Sequence, residues 1–148
     1  MQRNRAAQFA LHKPMVEYLD DAIKQVLRDK PKDEIKIMDA GAGTGNIGVE
    51  LRKLGYTNLH ALDISQEMLD EAKKKNVYKE VICAPLNDQR IPEINTGEFD
   101  ALICCGTLVC GHVHSGAFVE MIRMVKIGMF SLLRKLAIKS EVEKNPIP

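Results

Sequence analysis

Asp39-Ala40-Gly41-Ala42-Gly43-Thr44-Gly45-Asn46-Ile47-Gly48 is the stretch that decides how this chain folds. Before it, Ile35-Lys36-Ile37-Met38 reads as a short strand. After it, the pattern predicts a helix from Asn46 to Leu54, stopped by Gly55 as a C-terminal cap. Four of the ten glycines fall between Gly41 and Gly48. A strand that runs through a glycine turn into a helix lets backbone approach a bound group closely.

The same alternation extends outward. Leu59 to Leu62 reads as a second strand, ended by Asp63, and Ser65 can cap a helix carrying Met68, Leu69 and Ala72. Val81-Ile82-Cys83 is a third strand, followed by a polar loop with Pro85, Pro92 and Gly97. Phe99 to Cys105 is a fourth and the most apolar, as expected for a strand covered on both faces. A loop from Gly106 to Ser115 leads to a helix over Ala117–Val125. On the N-terminal side, Val16, Leu19, Ile23, Val26 and Leu27 recur at helical spacing between Lys13 and Arg28, with Pro14 in the first turn and Pro31 beyond the end. Residues 1–12 and 140–148 show little pattern and are expected to be loose. Met129 to Leu133 reads as a fifth strand or, with Phe130, Leu133 and Leu136 on one face, as part of a helix reaching Glu143.

Strands alternating with helices predict βαβ units with right-handed crossovers. The expected fold is α/β: a Rossmann-like three-layer α/β/α sandwich, its mostly parallel sheet cut to about four or five strands. The whole chain of 148 residues is read as one domain.

Apolar residues make up 45% and charged residues 28%, which excludes a disordered, collagenous or coiled-coil chain. Lys and Arg number 21 against 20 Asp and Glu, so no basic field for nucleic acid or an anionic membrane is expected. No apolar run reaches membrane-spanning length, and His12 and Lys13 interrupt any signal-like segment. Cys83, Cys104, Cys105 and Cys110 lack Cys-x-x-Cys spacing and read as buried, reduced thiols of a cytoplasmic protein.

Gly43-Thr44-Gly45-Asn46-Ile47-Gly48 also matches G-x-G-x-x-G, with Asp63 twenty residues after Gly43, where a dinucleotide fold keeps its ribose carboxylate. Asp39, just before the turn, argues against that ligand. A dinucleotide sets its pyrophosphate on the helix N-terminus, where the Asp39 carboxylate would repel it. S-adenosylmethionine carries no phosphate but has an ammonium, a sulfonium and an adenosine. Two carboxylates around a cationic ligand make electrostatic sense. Asp39 would help fix the ammonium and Asp63 would take the ribose hydroxyls. An NAD-dependent oxidoreductase is the less favoured reading.

These residues resemble a known family. Asp39 to Gly45 is similar to the first motif of class I S-adenosylmethionine-dependent methyltransferases, Ala61 to Leu69 with Ala72 resembles their second-strand segment, and Glu98 to Gly106 their fourth strand. Ile82 to Leu86 and Phe99 to Val113 resemble the methyltransferase-like branch of that family. The resemblance implies that Asp39, Gly41, Ala42 and Gly43 line the methionine end of the ligand, that Asp63 holds the ribose, and that Ile64 and Met68 flank the adenine. The family's acidic residue after the third strand is replaced by Pro85, so Leu86, through its backbone N–H, and Asn87 or Asp88 are the implied adenine contacts. Gly106 and Thr107 are implied on the sulfonium side. The implied activity is methyl transfer to an acceptor the sequence does not name. Positioning and exclusion of water would carry most of the catalysis, because the sulfonium already activates the methyl group.

No catalytic residue and no metal site are assigned. Cys110, His112 and His114 give Cys-x-His-x-His, but three ligands in five loop residues lack the paired spacing of zinc sites, and the histidines read as ordinary loop residues. Tyr18, Tyr56 and Tyr78 read as packing residues. The family turn before strand five, Lys-Pro-Gly-Gly, is here Lys126-Ile127-Gly128-Met129, and strands six and seven have no candidate residues. The expectation is a cofactor-binding half that lacks part of the acceptor side. The alternative function is a non-catalytic S-adenosylmethionine-binding module. Self-association through an uncovered sheet edge is the expected partner interaction.

Overall fold

The computed structural model describes residues 2–104 and 115–126, with side chains from residue 12 in the first stretch and from residue 116 in the second. Four parallel strands form one sheet in the order β3-β2-β1-β4: β1 is Ile37–Ala40, β2 Leu59–Asp63, β3 Glu80–Cys83 and β4 Ala101–Cys104. Helix α1 spans Gln2–Val26, α2 Asn46–Lys53, α3 Gln66–Lys74 and α4 Ser115–Met124. The α/β architecture is the one the alternating pattern predicts. The order makes β1 a branch point, with β2 and β3 on one side and β4 on the other. Sheets of this kind bind ligands outside the carboxyl ends of the strands at such a point.

Strand pleating sorts the core. Ile37, Leu59, Ala101 and Ile103 face α1 and α2, where they meet Val16, Leu19, Ile23, Ile47 and Leu51. Met38, Ala40, Leu62, Leu102 and Cys104 face the other way, against Met121 and Met124 of α4 and Ile91 and Ile94 of the loop before β4. Helix α3 closes the first face further along the sheet, with Leu69 packed on Ala61 and Ala42. Leu51 is fully buried, so its truncation to Ala would cost about 2–5 kcal/mol. Asp39 shares the parity of Ile37, so its side chain points under α2 rather than toward α4.

Several boundaries differ from those predicted, three of them for reasons visible in the backbone or the sequence. Helix α1 begins at Gln2, not near Lys13, so Pro14 lies inside it. The first twelve residues lack an apolar stripe but hold Ala6, Ala7, Gln8, Ala10 and Leu11, strong intrinsic helix formers. Strand β1 starts two residues later than Ile35, because a 3-10 turn over Lys32–Glu34 uses the Ile35 amide for Lys32. Asp39 therefore lies within β1. Strand β4 starts at Ala101, because the Phe99 amide bonds Met124 and its carbonyl accepts from Lys126.

That last exchange is a parallel bridge between Phe99 and Val125, so the chain leaving α4 begins to pair along the outer side of β4. The fifth-strand or helix alternatives for residues 129–143 lie outside the described residues, as does the tail 140–148. No described helix is long and apolar enough to cross a membrane.

Candidate functional site

The glycine loop leaves β1 and is tied at once to β2. The amides of Gly41 and Ala42 both donate to the Leu62 carbonyl, at 2.7 and 3.0 Å. Gly41, Gly43 and Gly45 adopt φ of 70°, 56° and 91°, a region where a side chain would strain the backbone. At Gly43 an added Cβ would meet nothing within 4 Å, so the loop stands open on that side.

Asp63, at the end of β2, fixes the loop from below. Its Oδ2 accepts the Gly43 N–H at 2.9 Å and its Oδ1 accepts the Ser65 N–H at 2.9 Å. Ser65 in turn caps α3, accepting the Met68 N–H on its Oγ. A carboxylate offers about four acceptor positions, so Asp63 keeps acceptor capacity on each oxygen. The adjoining Ile64 is 71% exposed and Met68 44%, an apolar surface beside a carboxylate.

Asp39 is almost completely buried, at 1% exposure. Its Oδ2 accepts a short 2.5 Å hydrogen bond from the Tyr78 hydroxyl. Burial pushes its pKa up to about 7; the Tyr78 hydrogen bond works against this, and the nearby Asp63 charge adds to it. Burial first, then the Asp39 charge, pushes the Tyr78 phenol well above its ordinary range, so Tyr78 is the donor. The same hydroxyl accepts the Gly48 N–H at 3.2 Å.

This second bond answers a local need. Helix α2 has Gly45 as its N-cap, which carries no side chain to satisfy the first-turn amides. Tyr78 supplies the missing acceptor. An added Cβ at Gly48 would overlap the Tyr78 ring and hydroxyl, and one at Gly45 would press on the ring at 3.1 Å. Two of the loop glycines therefore admit a tyrosine rather than a ligand. The sequence reading of Tyr78 as a packing residue holds for its ring, which lies half-buried on the core; its two hydroxyl bonds are what that reading lacked. The one sequence signal for them is Gly48, a glycine inside a helix, which costs about 1 kcal/mol unless something must approach closely.

The structure thus brings Asp39, Gly41, Ala42, Gly43 and Asp63 together at the carboxyl ends of β1 and β2, with Ile64 and Met68 alongside. Leu86 follows β3, is half-buried, and packs on the α4-side core. Asn87 turns its Oδ1 to the Gln89 N–H at 2.9 Å, so that oxygen serves its own loop. Asp88 packs so closely on Gly116 that a side chain there would collide with it, which holds this loop on the start of α4. Gly106, Thr107, Cys110, His112 and His114 lie outside the described residues. Cys83 is exposed, not buried, because it ends the edge strand β3; its Sγ lies 3.4 Å from the Ile64 carbonyl. Cys104 is buried, as expected.

A parallel sheet with this branch point, a glycine loop after β1 and a carboxylate at the end of β2 is the arrangement of Rossmann-like folds, methyltransferases among them. The chain belongs to the methyltransferase domain family, which it matches over residues 37–128. It is 33% identical over 101 residues to human methyltransferase-like protein 27, a match covering 68% of this chain and 40% of that protein. Its fold is shared by a putative S-adenosyl-L-methionine-dependent methyltransferase of Methanococcus maripaludis (TM-score 0.59, 21% identity, 94% of this chain and 66% of that one). It is also shared by the magnesium protoporphyrin IX methyltransferase of Synechocystis PCC 6803, solved with bound SAM (TM-score 0.55, 21% identity, 78% and 55%). The chain spans less than half the length of the curated relatives it matches.

Proposed function

We propose that this chain binds S-adenosylmethionine at the carboxyl ends of β1 and β2 and takes part in methyl transfer. One observation carries the reading. Four carboxylates are buried among the described residues: Asp20, Asp39, Asp100 and Glu120. Asp20 pairs with Lys24 and Lys32, Asp100 with Lys30 and Lys126, and Glu120 with Arg123. Among the described residues Asp39 alone has no cation beside it, and its charged neighbour is another carboxylate. It sits under a glycine loop whose one side is open. A buried carboxylate in such a place is relieved by a ligand that brings positive charge. A pyrophosphate would add a third negative group, which counts against a dinucleotide.

When bound, S-adenosylmethionine supplies a methyl group activated by the sulfonium. The residues present fit it. Gly43 leaves room for close approach, Asp63 keeps acceptor positions for vicinal hydroxyls, and Ile64 and Met68 offer apolar surface for a flat base. In this reading Asp39, Gly41 and Ala42 hold the amino-acid end. Leu86, Asn87 and Gly106 remain assigned by resemblance to the adenine and sulfonium sides. The protein's contribution is orientation and exclusion of water.

Calorimetric titration with S-adenosylmethionine, S-adenosylhomocysteine and NAD tests the assignment. The expected result is micromolar binding of the two adenosyl ligands, about −8 kcal/mol, and none of NAD. Asp63→Ala should weaken binding at least a hundredfold. NAD binding alone would sink the reading. A chain that binds the adenosyl ligands yet shows no turnover across amine, thiol and carboxylate acceptors would be a binding module rather than an enzyme.

A further inference from the structure

Tyr78 stands outside every motif of the glycine loop, yet its hydroxyl joins the two ends of that loop. It donates to Asp39 Oδ2 at 2.5 Å and accepts from Gly48, the third residue of α2, at 3.2 Å. The ring is wedged against Gly45 and Gly48 and packs on the cluster of Ala42, Ala61 and Leu69, so the hydroxyl is not free to turn away. Three influences act on Asp39. Burial and the Asp63 carboxylate disfavour its charge, and Tyr78 alone favours it. Asp63 comes from the end of β2 and Tyr78 from the segment before β3. Among the described residues α1 and α2 set no charged group against it.

We infer that Tyr78 is a positioning residue: its hydroxyl bridge fixes Asp39 beneath the glycine loop and favours its carboxylate form, and so sets the site's preference for an adenosyl ligand that carries an ammonium group. This rests on the S-adenosylmethionine reading above and extends it from the ligand to the part of the ligand this bridge senses. A hydroxyl that donates to a carboxylate stabilises its ionised form and fixes its orientation. Asp39 is too buried to be a broad contact surface, so its charge acts from under the loop, and Tyr78 acts only through Asp39.

Two probes separate this role from simple support of the loop. S-adenosylhomocysteine carries the ammonium; 5′-methylthioadenosine has the same adenosine and a thioether but no amino-acid end. Tyr78→Phe keeps the ring on its glycines and removes the hydroxyl. In calorimetry on the full chain at pH 7.5, this variant should bind S-adenosylhomocysteine about tenfold more weakly and methylthioadenosine within twofold of wild type. A second arm needs no variant. Wild-type affinity for S-adenosylhomocysteine should rise between pH 6 and pH 8 as Asp39 ionises, with methylthioadenosine flat. In Tyr78→Phe that rise should move to higher pH. Equal losses for both ligands, no loss for either, or a flat wild-type profile for S-adenosylhomocysteine would each overturn the inference. Binding of neither nucleoside by the wild-type chain is a separate result, and it would overturn the site assignment itself.

Discussion

Asp39 and Asp100 are both nearly sealed from solvent, at 1% and 4% exposure, and they lie toward opposite ends of neighbouring strands. Asp100, just before β4, is saturated. Its Oδ2 accepts from Lys30 Nζ at 2.7 Å and from the Lys36 amide at 2.9 Å, and its Oδ1 accepts from Lys126 Nζ at 2.8 Å. Burial alone would raise its pKa, but Lys126 and Lys30 hold the carboxyl below the ordinary range. Asp39, near the other end of β1, has a tyrosine and a carboxylate for company, and its pKa stands at about 7. Among the described residues, the amino end of the sheet is electrostatically complete as folded, and its carboxyl end is not. A buried carboxylate left without a cation, where the other buried carboxylates of the described residues are paired, is the mark of a site rather than of a scaffold.

The largest expected effect comes from removing the unsatisfied charge. Asp39 binds a proton in the folded state up to about pH 7 and in the unfolded chain only up to about pH 4. The contribution of Asp39 to folded stability is therefore greatest below pH 4, falls as pH rises to about 7, and is level beyond. Above pH 7 the penalty is at most about 4 kcal/mol, three pKa units at 1.36 kcal/mol each. Asp39→Asn keeps an acceptor for Tyr78 without the charge. At pH 8 urea denaturation should show it more stable than wild type by up to that amount, with the gain vanishing near pH 4. Its affinity for S-adenosylhomocysteine should fall about tenfold. A variant less stable than wild type at pH 8 would remove the contrast on which the site assignment rests.

Asp100 should behave in the opposite sense. Its folded pKa is lowered, so its contribution is present above the unfolded pKa near 4 and is lost as pH falls below it. Asp100→Asn leaves Lys30 and Lys126 without a charge partner and should cost about 2 kcal/mol at pH 7, discounted because both lysines reach solvent. Adenosyl-ligand affinity should stay within twofold of wild type. An equal loss of binding would mean that the two ends of the sheet are not separable.

The sheet and its site were legible in the sequence to different depths. The glycine run, Asp63 and the Ser65 cap carry local signals, and the structure places them where those signals point. The parallel α/β sheet followed from the alternation of elements, whereas its strand order, β3-β2-β1-β4, came only from the structure. Helix α1 was legible only from Lys13 onward, because Ala6 to Leu11 favour a helix by propensity without showing an apolar face. The hydroxyl bridge of Tyr78 was not legible, and Gly48 inside a helix hinted only that something approaches there. The partners of Tyr78 lie 30 and 39 residues away in sequence, and no spacing rule links a phenol before β3 to a helix cap after β1. Leu86, Asn87 and Gly106 depended on resemblance, since backbone contacts leave no pattern in side-chain identity.

The smallest expected effect on stability separates the two uses of glycine around the loop. Gly43→Ala meets no atom within 4 Å but must hold φ at 56°, so the ligand-free chain should lose only about 1 kcal/mol. The added methyl enters the open side of the loop, and S-adenosylhomocysteine binding should fall well over tenfold. Gly48→Ala has ordinary helical geometry and would gain about 1 kcal/mol of helix propensity in an open helix. Here the methyl overlaps the Tyr78 hydroxyl and ring, and overpacking of this kind costs about 1–3 kcal/mol. The net change in melting temperature should be a small decrease, and the affinity loss should again spare methylthioadenosine, as for Tyr78→Phe. A Gly48→Ala chain that melts higher and binds both nucleosides unchanged would show that the tyrosine tolerates displacement. In that case Gly43 and Gly48 would serve the ligand and the helix, and the bridge to Asp39 would serve neither.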